Sequence, residues 1–360
     1  MEGKTVLRIL KAHNGDSLIL KTYTSDNRDY TIVVDGGTSQ TFSDTLKNEL
    51  KRLKQIDLLI LTHIDSDHIA GLLKFFKSSL FDVVPIQLFW INLLGFITVN
   101  SGDKISMGQA KNLEQLLVEK KIDLSKIVQN VTTENQPKPL ENGINFLVLS
   151  PPSALLVELK KDAAEYLALE QNRIAERIKV SADTARASDE ISLKDLARGE
   201  FRPQSINSDK INSSSIGVLI TTIDGSCLLL GDCRSEIIEQ SLLANGYSVS
   251  NQLKVNLVKV SHHGSVNNTS CSLLDLIDCN HFLISTNGGT SHHHHPDREV
   301  IARIVHHPKR NYAQHRKIYF NYPMQKITQR KGNFISDSDF VDGNWSVVDD
   351  VEQLVIRELV

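Results

Sequence analysis

Four side chains of the kinds that bind metal ions lie within six consecutive positions: His63, Asp65, Asp67 and His68. They follow an apolar run at residues 58–61, which is typical of a buried strand. A buried strand would give these side chains a rigid support and point them out of one end of a sheet. The density of ligand types favours a metal site over a polar turn. Imidazole and carboxylate ligands together suit zinc or manganese, and composition does not choose between them.

Three later segments repeat the pattern of an apolar strand followed by ligand types. Asp232 follows a strand and a glycine, His262 and His263 follow the strand pattern at 255–260, and a histidine run occupies 292–295. Hydrolytic metal pairs need several such ligands and one bridging carboxylate. Asp232 suits the bridge, although capping of the next helix is an equally good interpretation of that residue alone. His262 or His263, with one of the late histidines, would complete the two coordination shells.

The bulk composition is that of a globular protein without a strong charge signal. Of the 360 residues, 40% are hydrophobic and 23% charged, and the net charge is −3, so no overall basic field indicates nucleic acid. The four cysteines show no CxxC spacing, which favours reduced thiols. The N-terminal residues lack the apolar core of a signal peptide, and no window reaches the roughly 20 apolar residues of a membrane span. We therefore expect a cytoplasmic location and no membrane association.

The elements that would position the ligands alternate between short strands and helices. A strand at 30–34 ends in Asp35-Gly36-Gly37, where Asp35 by itself is best interpreted as a turn residue. Residues 153–204 differ in character, and the pattern predicts a helical insertion with helices near 155–169 and 174–180. The last fifty residues are less regular.

The segment 62–71, Thr-His-Ile-Asp-Ser-Asp-His-Ile-Ala-Gly, resembles the signature of the metallo-β-lactamase superfamily. Asp65 replaces the second histidine, a variant that resembles the hydrolase domain of the ComEC-type DNA-uptake proteins and their stand-alone relatives. Further blocks resemble the family's motifs in the same order: 14–17, 35–37, 149–152, 212–216, 230–232, 259–265 and 295–296. The membrane segments of the uptake proteins are absent, so the resemblance does not imply uptake.

This resemblance implies an α/β fold, a four-layer αβ/βα sandwich of two sheets with helices outside. We expect a hydrolase domain over residues 1–310, with the insertion at about 153–204, and a C-terminal extension of unclear fold at 311–360. Two divalent metals, zinc or manganese, are implied. Their expected ligands are His63, Asp65, Asp67, His68, Asp232, His262, His263 and His295. No histidine lies between residues 71 and 232, so the superfamily's usual middle histidine is missing, and His262 or His263 is expected to replace it.

The implied activity is a metal-dependent phosphodiesterase or nuclease that uses a hydroxide activated by two metals. Asp67 would orient the hydroxide as well as bind metal, Asp232 would bridge, and His295 would bind metal or donate a proton. The substrate would be a nucleic acid or a nucleotide. Residues 309–317, with Tyr312 and Tyr319, are basic and aromatic enough to hold such a backbone, although a solvated basic face is the simpler interpretation.

Two other functions remain open at this stage. One is hydrolysis of an ester, lactone or thioester on the same fold, because a fold does not determine its chemistry. The other is a module whose metals only brace the fold and whose helices at 153–204 bind a protein partner. The oligomeric state is not predicted.

Overall fold

A computed structural model describes residues 3–95, 105–137, 143–170, 191–289 and 294–359. The helix expected at 174–180 and the histidines His292 and His293 lie outside the described residues.

The described residues form two seven-stranded sheets and one small parallel pair, with sixteen strands in chain order. The strands before the middle of the chain are β1 (Val6–Ile9), β2 (Leu18–Tyr23), β3 (Asp29–Val34), β4 (Ile56–Leu61), β5 (Ile86–Ile91), β6 (Ile127–Val128) and β7 (Asn145–Ser150). The later strands are β8 (Gly217–Thr222), β9 (Gly225–Leu229), β10 (Leu253–Lys254), β11 (Leu257–Lys259), β12 (Ile277–Asp278), β13 (His281–Ile284), β14 (Arg316–Phe320), β15 (Trp345–Val348) and β16 (Gln353–Val355).

Each large sheet is antiparallel at one side and parallel at the other. The first has the order β16-β1-β2-β3-β4-β5-β6, and pairing is parallel from β3 to β6. The second has the order β15-β14-β13-β11-β9-β8-β7, and pairing is parallel from β9 to β15. Because parallel strands all end at the same edge, the loops after β4, β9, β11 and β13 can converge on one site.

Helices cover the outer faces of the sheets. In chain order they are α1 (Ser39–Thr41), α2 (Lys47–Leu50), α3 (Ser66–Lys77), α4 (Ile105–Glu119), α5 (Ser153–Glu170), α6 (Leu193–Leu196), α7 (Lys210–Ser213), α8 (Ser235–Ala244), α9 (Cys271–Asp275), α10 (Arg298–Val305) and α11 (Met324–Lys331). A five-residue π-helical turn at Phe42–Leu46 joins α1 to α2.

The hydrophobic core lies in three layers that separate these elements. Leu58 of the first sheet and Leu257 of the second belong to one cluster between the sheets. Leu72 of α3 packs outside the first sheet, and Val300 of α10 packs outside the second. The strand β4 is buried along its whole length, as expected for a central strand covered on both faces. The expected four-layer αβ/βα sandwich is confirmed.

Residues beyond 310 supply three of these strands, although the sequence pattern there is weak. Strands β14 and β15 extend the second sheet beyond β13, and β16 pairs antiparallel with β1 in the first sheet. The domain boundary at residue 310 stays a prediction. None of the helices within the described residues is long and apolar enough to cross a membrane.

Candidate metal centre

The ligand-type side chains lie where strands of the two sheets end at a common edge. The first sheet contributes residues 62–68 after β4, and the second contributes Asp232 after β9 and residues 262–263 after β11. The Ile216 N–H donates a 2.9 Å hydrogen bond to the Thr62 carbonyl oxygen, which ties the two halves together beside the site.

The Asp232 carboxylate lies at the centre, with four imidazole rings around its Oδ2 atom. The Nε2 atoms lie 3.4 Å (His68), 3.7 Å (His262), 3.8 Å (His63) and 3.8 Å (His263) from this oxygen. These separations are longer than hydrogen bonds. Two ligand atoms at about 2.1 Å from one tetrahedral metal ion are about 3.4 Å apart, which is similar to the observed spacing.

The other ring nitrogen, Nδ1, of each histidine is held by a neighbour. The partners are Asp35 Oδ2 for His68 (2.8 Å), the Ser285 carbonyl for His263 (2.9 Å), Asn268 Oδ1 for His262 (3.1 Å) and Thr62 Oγ1 for His63 (3.1 Å). The buried Nε2 atoms of His63, His68 and His263 have no hydrogen-bond partner within the described parts of the chain. Metal-binding histidines show this pattern, in which one nitrogen is oriented by a neighbour and the other is left for the metal. The donor set therefore fits divalent cations.

Within the described residues His68 belongs to three groups of ligand-type atoms, of which one is formed with Asp16 and Asp35 and the other two lie around Asp232. One of these two contains His63, His68 and Asp232, the other contains Asp67, His68 and His263, and the atoms of each group lie within 4.8 Å of one another. Two overlapping groups of nitrogen and oxygen donors are compatible with a pair of metal ions.

Asp65 and His295 lie at the border of the centre, in none of these groups. The Asp65 backbone begins α3, where its carbonyl accepts hydrogen bonds from the His68 and Ile69 N–H groups. The His295 ring centroid lies 5.4 Å from that of His262, and its Nδ1 lies 3.3 Å from Asp297 Oδ2. The remaining predicted ligands lie together around Asp232.

The backbone at His262 and His263 has left-handed conformations, with φ angles of 49° and 54°. Such φ values are uncommon for residues other than glycine and cluster at functional sites. In an extended strand, successive side chains point to opposite faces. The left-handed turn lets two consecutive imidazoles approach the same carboxylate.

Asp35 organises the loop after β4, a role that the interpretation as a turn residue missed. Its carboxylate accepts hydrogen bonds from the Thr62 N–H (2.8 Å) and the Thr62 hydroxyl (2.7 Å), in addition to that of His68 Nδ1. It therefore fixes both ends of the 62–68 loop. The sequence signal for this role was the position of Asp35 at the end of β3, directly before two glycines.

The turn between β1 and β2 holds Asp67 from the other side. The Asn14 side-chain amide donates to Asp67 Oδ2 at 3.1 Å, and the Asp16 N–H donates to the Asp67 carbonyl at 3.2 Å. A Cβ atom on Gly15 would lie 1.8 Å from that same carbonyl oxygen, so only glycine permits this approach. Asn14 was not among the ligands predicted from the sequence, so its contact with the site was not predicted.

A buried ion pair lies beneath the centre and joins the two halves. Lys259 of β11 pairs with Asp16, and both side chains are almost fully buried. The Lys259 ammonium also donates to the Gly231 carbonyl at 3.1 Å, directly before Asp232. Burial would lower the pKa of Lys259, but Asp16 and Asp232 raise it, so the cation persists. The charge offsets part of the negative charge gathered at the site.

Burial and neighbouring charges give the histidines different proton affinities. Burial, with His68 beside it, lowers the pKa of His63 to about 4. Burial also disfavours the charged form of His68, but Asp232 and Asp35 outweigh it and raise the pKa of His68 well above its ordinary value. Likewise, Asp232 and Asp16 outweigh burial and raise the pKa of His263. In the metal-free protein burial therefore favours the neutral form of His63, whereas the neighbouring carboxylates favour the protonated forms of His68 and His263, whose protons a bound metal ion would displace.

Three side chains of the predicted basic and aromatic face, Arg310, Arg316 and Tyr319, are buried. The guanidinium of Arg310 donates to the carbonyls of Val305, Gln314 and Asn344, and that of Arg316 donates to the Ile304 carbonyl. These side chains fix the backbone around β14, so a role in holding a nucleic acid is wrong for them.

Residues 15–137 match the family model described as the metallo-beta-lactamase superfamily. Over that segment the chain is similar to this superfamily. The matched part includes the 62–68 loop and, from Gly15 onward, the turn that holds Asp67. A curated relative, ComE operon protein 3 of Bacillus subtilis (strain 168), is 27% identical over 128 residues, which are 36% of this chain and 16% of the relative. The chain therefore spans only a small part of that relative's length.

Several solved structures are similar at low sequence identity. A long form RNase Z from yeast is 13% identical with a TM-score of 0.41, over 99% of this chain and 42% of the other. A mutant of the CmlA beta-hydroxylase is 11% identical with a TM-score of 0.38, over 99% and 54%. A diphosphatase from the PhnP family is 11% identical with a TM-score of 0.36, over 78% and 85%.

Proposed function

We propose that this protein is a metal-dependent hydrolase of phosphodiester bonds, a nuclease or phosphodiesterase. The observation that carries the proposal is the convergence of the His63, His68 and His263 Nε2 atoms on Asp232 Oδ2, while none of these nitrogens has a hydrogen-bond partner among the described residues. Divalent metals bound there would supply Lewis acidity that makes water a stronger nucleophile and offsets negative charge on the phosphoryl group. Zinc and manganese both suit the donors.

The ligands divide naturally between two positions. His63 and Asp232 would serve one metal, Asp67, His68 and His263 the other, and Asp232 would bridge. We infer that His262 replaces the missing middle histidine, because its Nε2 lies as close to Asp232 as that of His63. Asp65, at the start of α3, would complete the ligand set of the metal ion bound by His63 and Asp232.

Asp67 is suited to hold the attacking water as well as a metal. Its side chain is 21% exposed, whereas that of Asp232 is 2% exposed. The Asn14 amide orients Asp67 Oδ2, and His68 and His263 hold the pKa of Asp67 below its ordinary value although burial would raise it. The carboxylate therefore stays ionised and can accept a hydrogen bond from water.

The surroundings of His295 favour a neutral ring. Burial lowers its pKa, and the Asp297 carboxylate beside Nδ1 only partly offsets this. A neutral imidazole whose Nδ1 proton faces Asp297 presents a lone pair at Nε2. Between the two roles open for His295, we therefore favour metal binding over proton donation.

The centre opens to solvent on one side. The side chains of His262 and Asp67 are 24% and 21% exposed, whereas those of His63 and His68 are fully buried. A structural metal site is closed by protein ligands, and a catalytic site keeps an open position. This opening favours an enzyme over a metal-braced interaction module. The preference for phosphodiesters rests on the resemblance to ComEC-type proteins.

The experiment compares purified protein with added zinc or manganese on DNA, RNA, cyclic dinucleotides and carboxylic esters. We expect phosphodiester cleavage that falls by at least about 100-fold in Asp67→Ala and in Asp232→Ala. Asp82→Ala, which removes an exposed carboxylate on a helix-side loop, is the matched control and should retain activity. Cleavage that survives either site substitution contradicts the proposal, and activity on carboxylic esters alone selects the ester hydrolase.

A further inference from the structure

We propose that α11 is a binding surface for the backbone of a phosphodiester polymer, in which Lys326 and Arg330 contact phosphates that flank the cleaved one. This inference rests on the proposed function and names its substrate class: an oligonucleotide or longer strand, not a small diester.

The first turn of α11 adjoins the turn that holds Asp67. The Tyr322 hydroxyl, two residues before the helix, accepts a 2.8 Å hydrogen bond from the His13 N–H. The next residue, Asn14, donates to Asp67. The Lys326 ammonium lies 4.6 Å from the centroid of the Tyr322 ring, so this cation is one side chain away from the turn that holds Asp67.

The last turn of α11 adjoins the loop that carries His295. The Arg330 guanidinium donates to the Gly289 carbonyl at 3.1 Å, and the Lys331 ammonium donates to the His294 carbonyl at 3.0 Å. Ile327 is fully buried and anchors the middle of the helix. The helix therefore runs along the border of the site, from the Asn14 turn to the His295 loop.

The charge around α11 is locally positive in a chain of net charge −3. Residues 323–334 contain three cations and no carboxylate. The carboxylates near the helix have other partners: Lys331 for Asp297, Lys11 for Asp350, the Met324 N–H for Asp349 and His13 for Asp44. Within the described ranges, no carboxylate forms an ion pair with Lys326 or Arg330, so their charges are available to an anion.

The two cations are placed to act together. Lys326 and Arg330 are both exposed and are four residues apart, so they share one face of the helix about 6 Å apart along its axis. A lysine acts on phosphate as a point charge, and an arginine presents a planar fork of donors. With the metals on the cleaved phosphate, such a pair suits neighbouring phosphates of the same strand.

The test compares Lys326→Gln/Arg330→Gln with the charge-matched control Lys74→Gln/Lys77→Gln. The control removes two exposed lysines from the last turn of α3, away from the centre. The probes are a fluorescent single-stranded 12-nucleotide DNA and bis(p-nitrophenyl) phosphate. Binding is measured by anisotropy in EDTA at several salt concentrations, and cleavage is measured with metal.

We expect kcat/KM for the oligonucleotide to fall about 10-fold in the α11 variant, while turnover of the small diester stays within about twofold. The slope of log affinity against log salt should become shallower by about 1.4, at about 0.7 for each phosphate of a single strand that the variant no longer neutralises. The α3 control should match the unsubstituted protein. An equal loss on both substrates, an equal effect in the control, or no binding by any of the proteins in EDTA overturns the inference.

Failure of the proposed function gives a different result. If neither substrate is cleaved, that function fails, and the anisotropy comparison still decides whether α11 binds a phosphodiester strand. If the small diester is cleaved and oligonucleotide binding is the same in both variants, the hydrolase stands and the α11 surface does not.

Discussion

At the scale of single residues, the two ring nitrogens of each central histidine have different partners. Nδ1 of His63, His68, His262 and His263 is held by a protein atom, while Nε2 faces Asp232. Asp35 acts through both Thr62 and His68, so one carboxylate orients the loop and a ligand together. Because Nε2 must be deprotonated to bind a metal ion, metal binding should change the number of protons that these histidines carry, and this change can be measured.

Metal uptake should release protons in a way that depends on pH. The neighbouring carboxylates raise the pKa values of His68 and His263 and so favour their protonated forms in the metal-free protein, whereas His63, with a pKa of about 4, is neutral at pH 7. Titration calorimetry of zinc binding at pH 7 in buffers of different ionisation enthalpy should therefore show net proton release. Affinity should rise as the pH rises through the raised pKa values.

The stability of the metal-free protein should change with pH in the opposite direction to the metal affinity. A histidine whose folded-state pKa is raised contributes stability that is fully present below the unfolded value of about 6.5 and is lost as the pH rises through the folded value. The metal-free protein should therefore lose stability in that window while metal affinity increases. Metal binding without proton release between pH 6 and 8 would contradict these assignments.

At the scale of elements, the turn between β1 and β2 is a support for Asp67. Its residues hold Asp67 through the Asn14 amide, the Asp16 N–H and the close approach of Gly15. A sequence pattern of Asn-Gly-Asp-Ser predicts the turn. It does not predict the contact, because Asn14 and Asp67 are 53 residues apart and their separation depends on the packing of α3 against β3.

Removal of the Asn14 donor should weaken metal binding. Asn14→Leu keeps a side chain of similar size but leaves Asp67 Oδ2 without this donor, and loss of such a supporting hydrogen bond typically lowers metal affinity 10- to 100-fold. We expect about a 10-fold weaker affinity at one of two metal positions, measured by competition with a chromogenic chelator. Asn48→Leu, an exposed asparagine on α2, should leave both affinities unchanged. Unchanged affinities in Asn14→Leu, with an unchanged thermal melt, would refute the role.

At the scale of the whole molecule, the sequence was most informative where a buried strand ends in ligand types. The apolar run before His63 predicted β4, and the glycine before Asp232 and the paired His262 and His263 marked the other strand ends. Because parallel strands end at one edge, these local patterns were enough to predict a shared site. The layered architecture followed from the resemblance to the superfamily.

Contacts that depend on three-dimensional register could not be predicted. Lys259 begins the block 259–265 that resembles a family motif, but its partner was not predictable, because only the approach of the two sheets places it against Asp16, which is 243 positions away. The side chains of Arg310 and Arg316 look like a basic surface but bind backbone carbonyls. Strands β14, β15 and β16 are three to five residues long and gain most of their stability from their neighbours in the sheets.

We propose that Asp232 bridges two metal ions. The most direct test is anomalous diffraction from crystals grown with zinc or manganese. We expect two peaks, about 3.5–4 Å apart, on either side of Asp232 Oδ2. The Nε2 atom of His63 should lie about 2.0–2.2 Å from one peak, and those of His68 and His263 at the same distance from the other. A single peak, or peaks that do not contact Asp232, would contradict it.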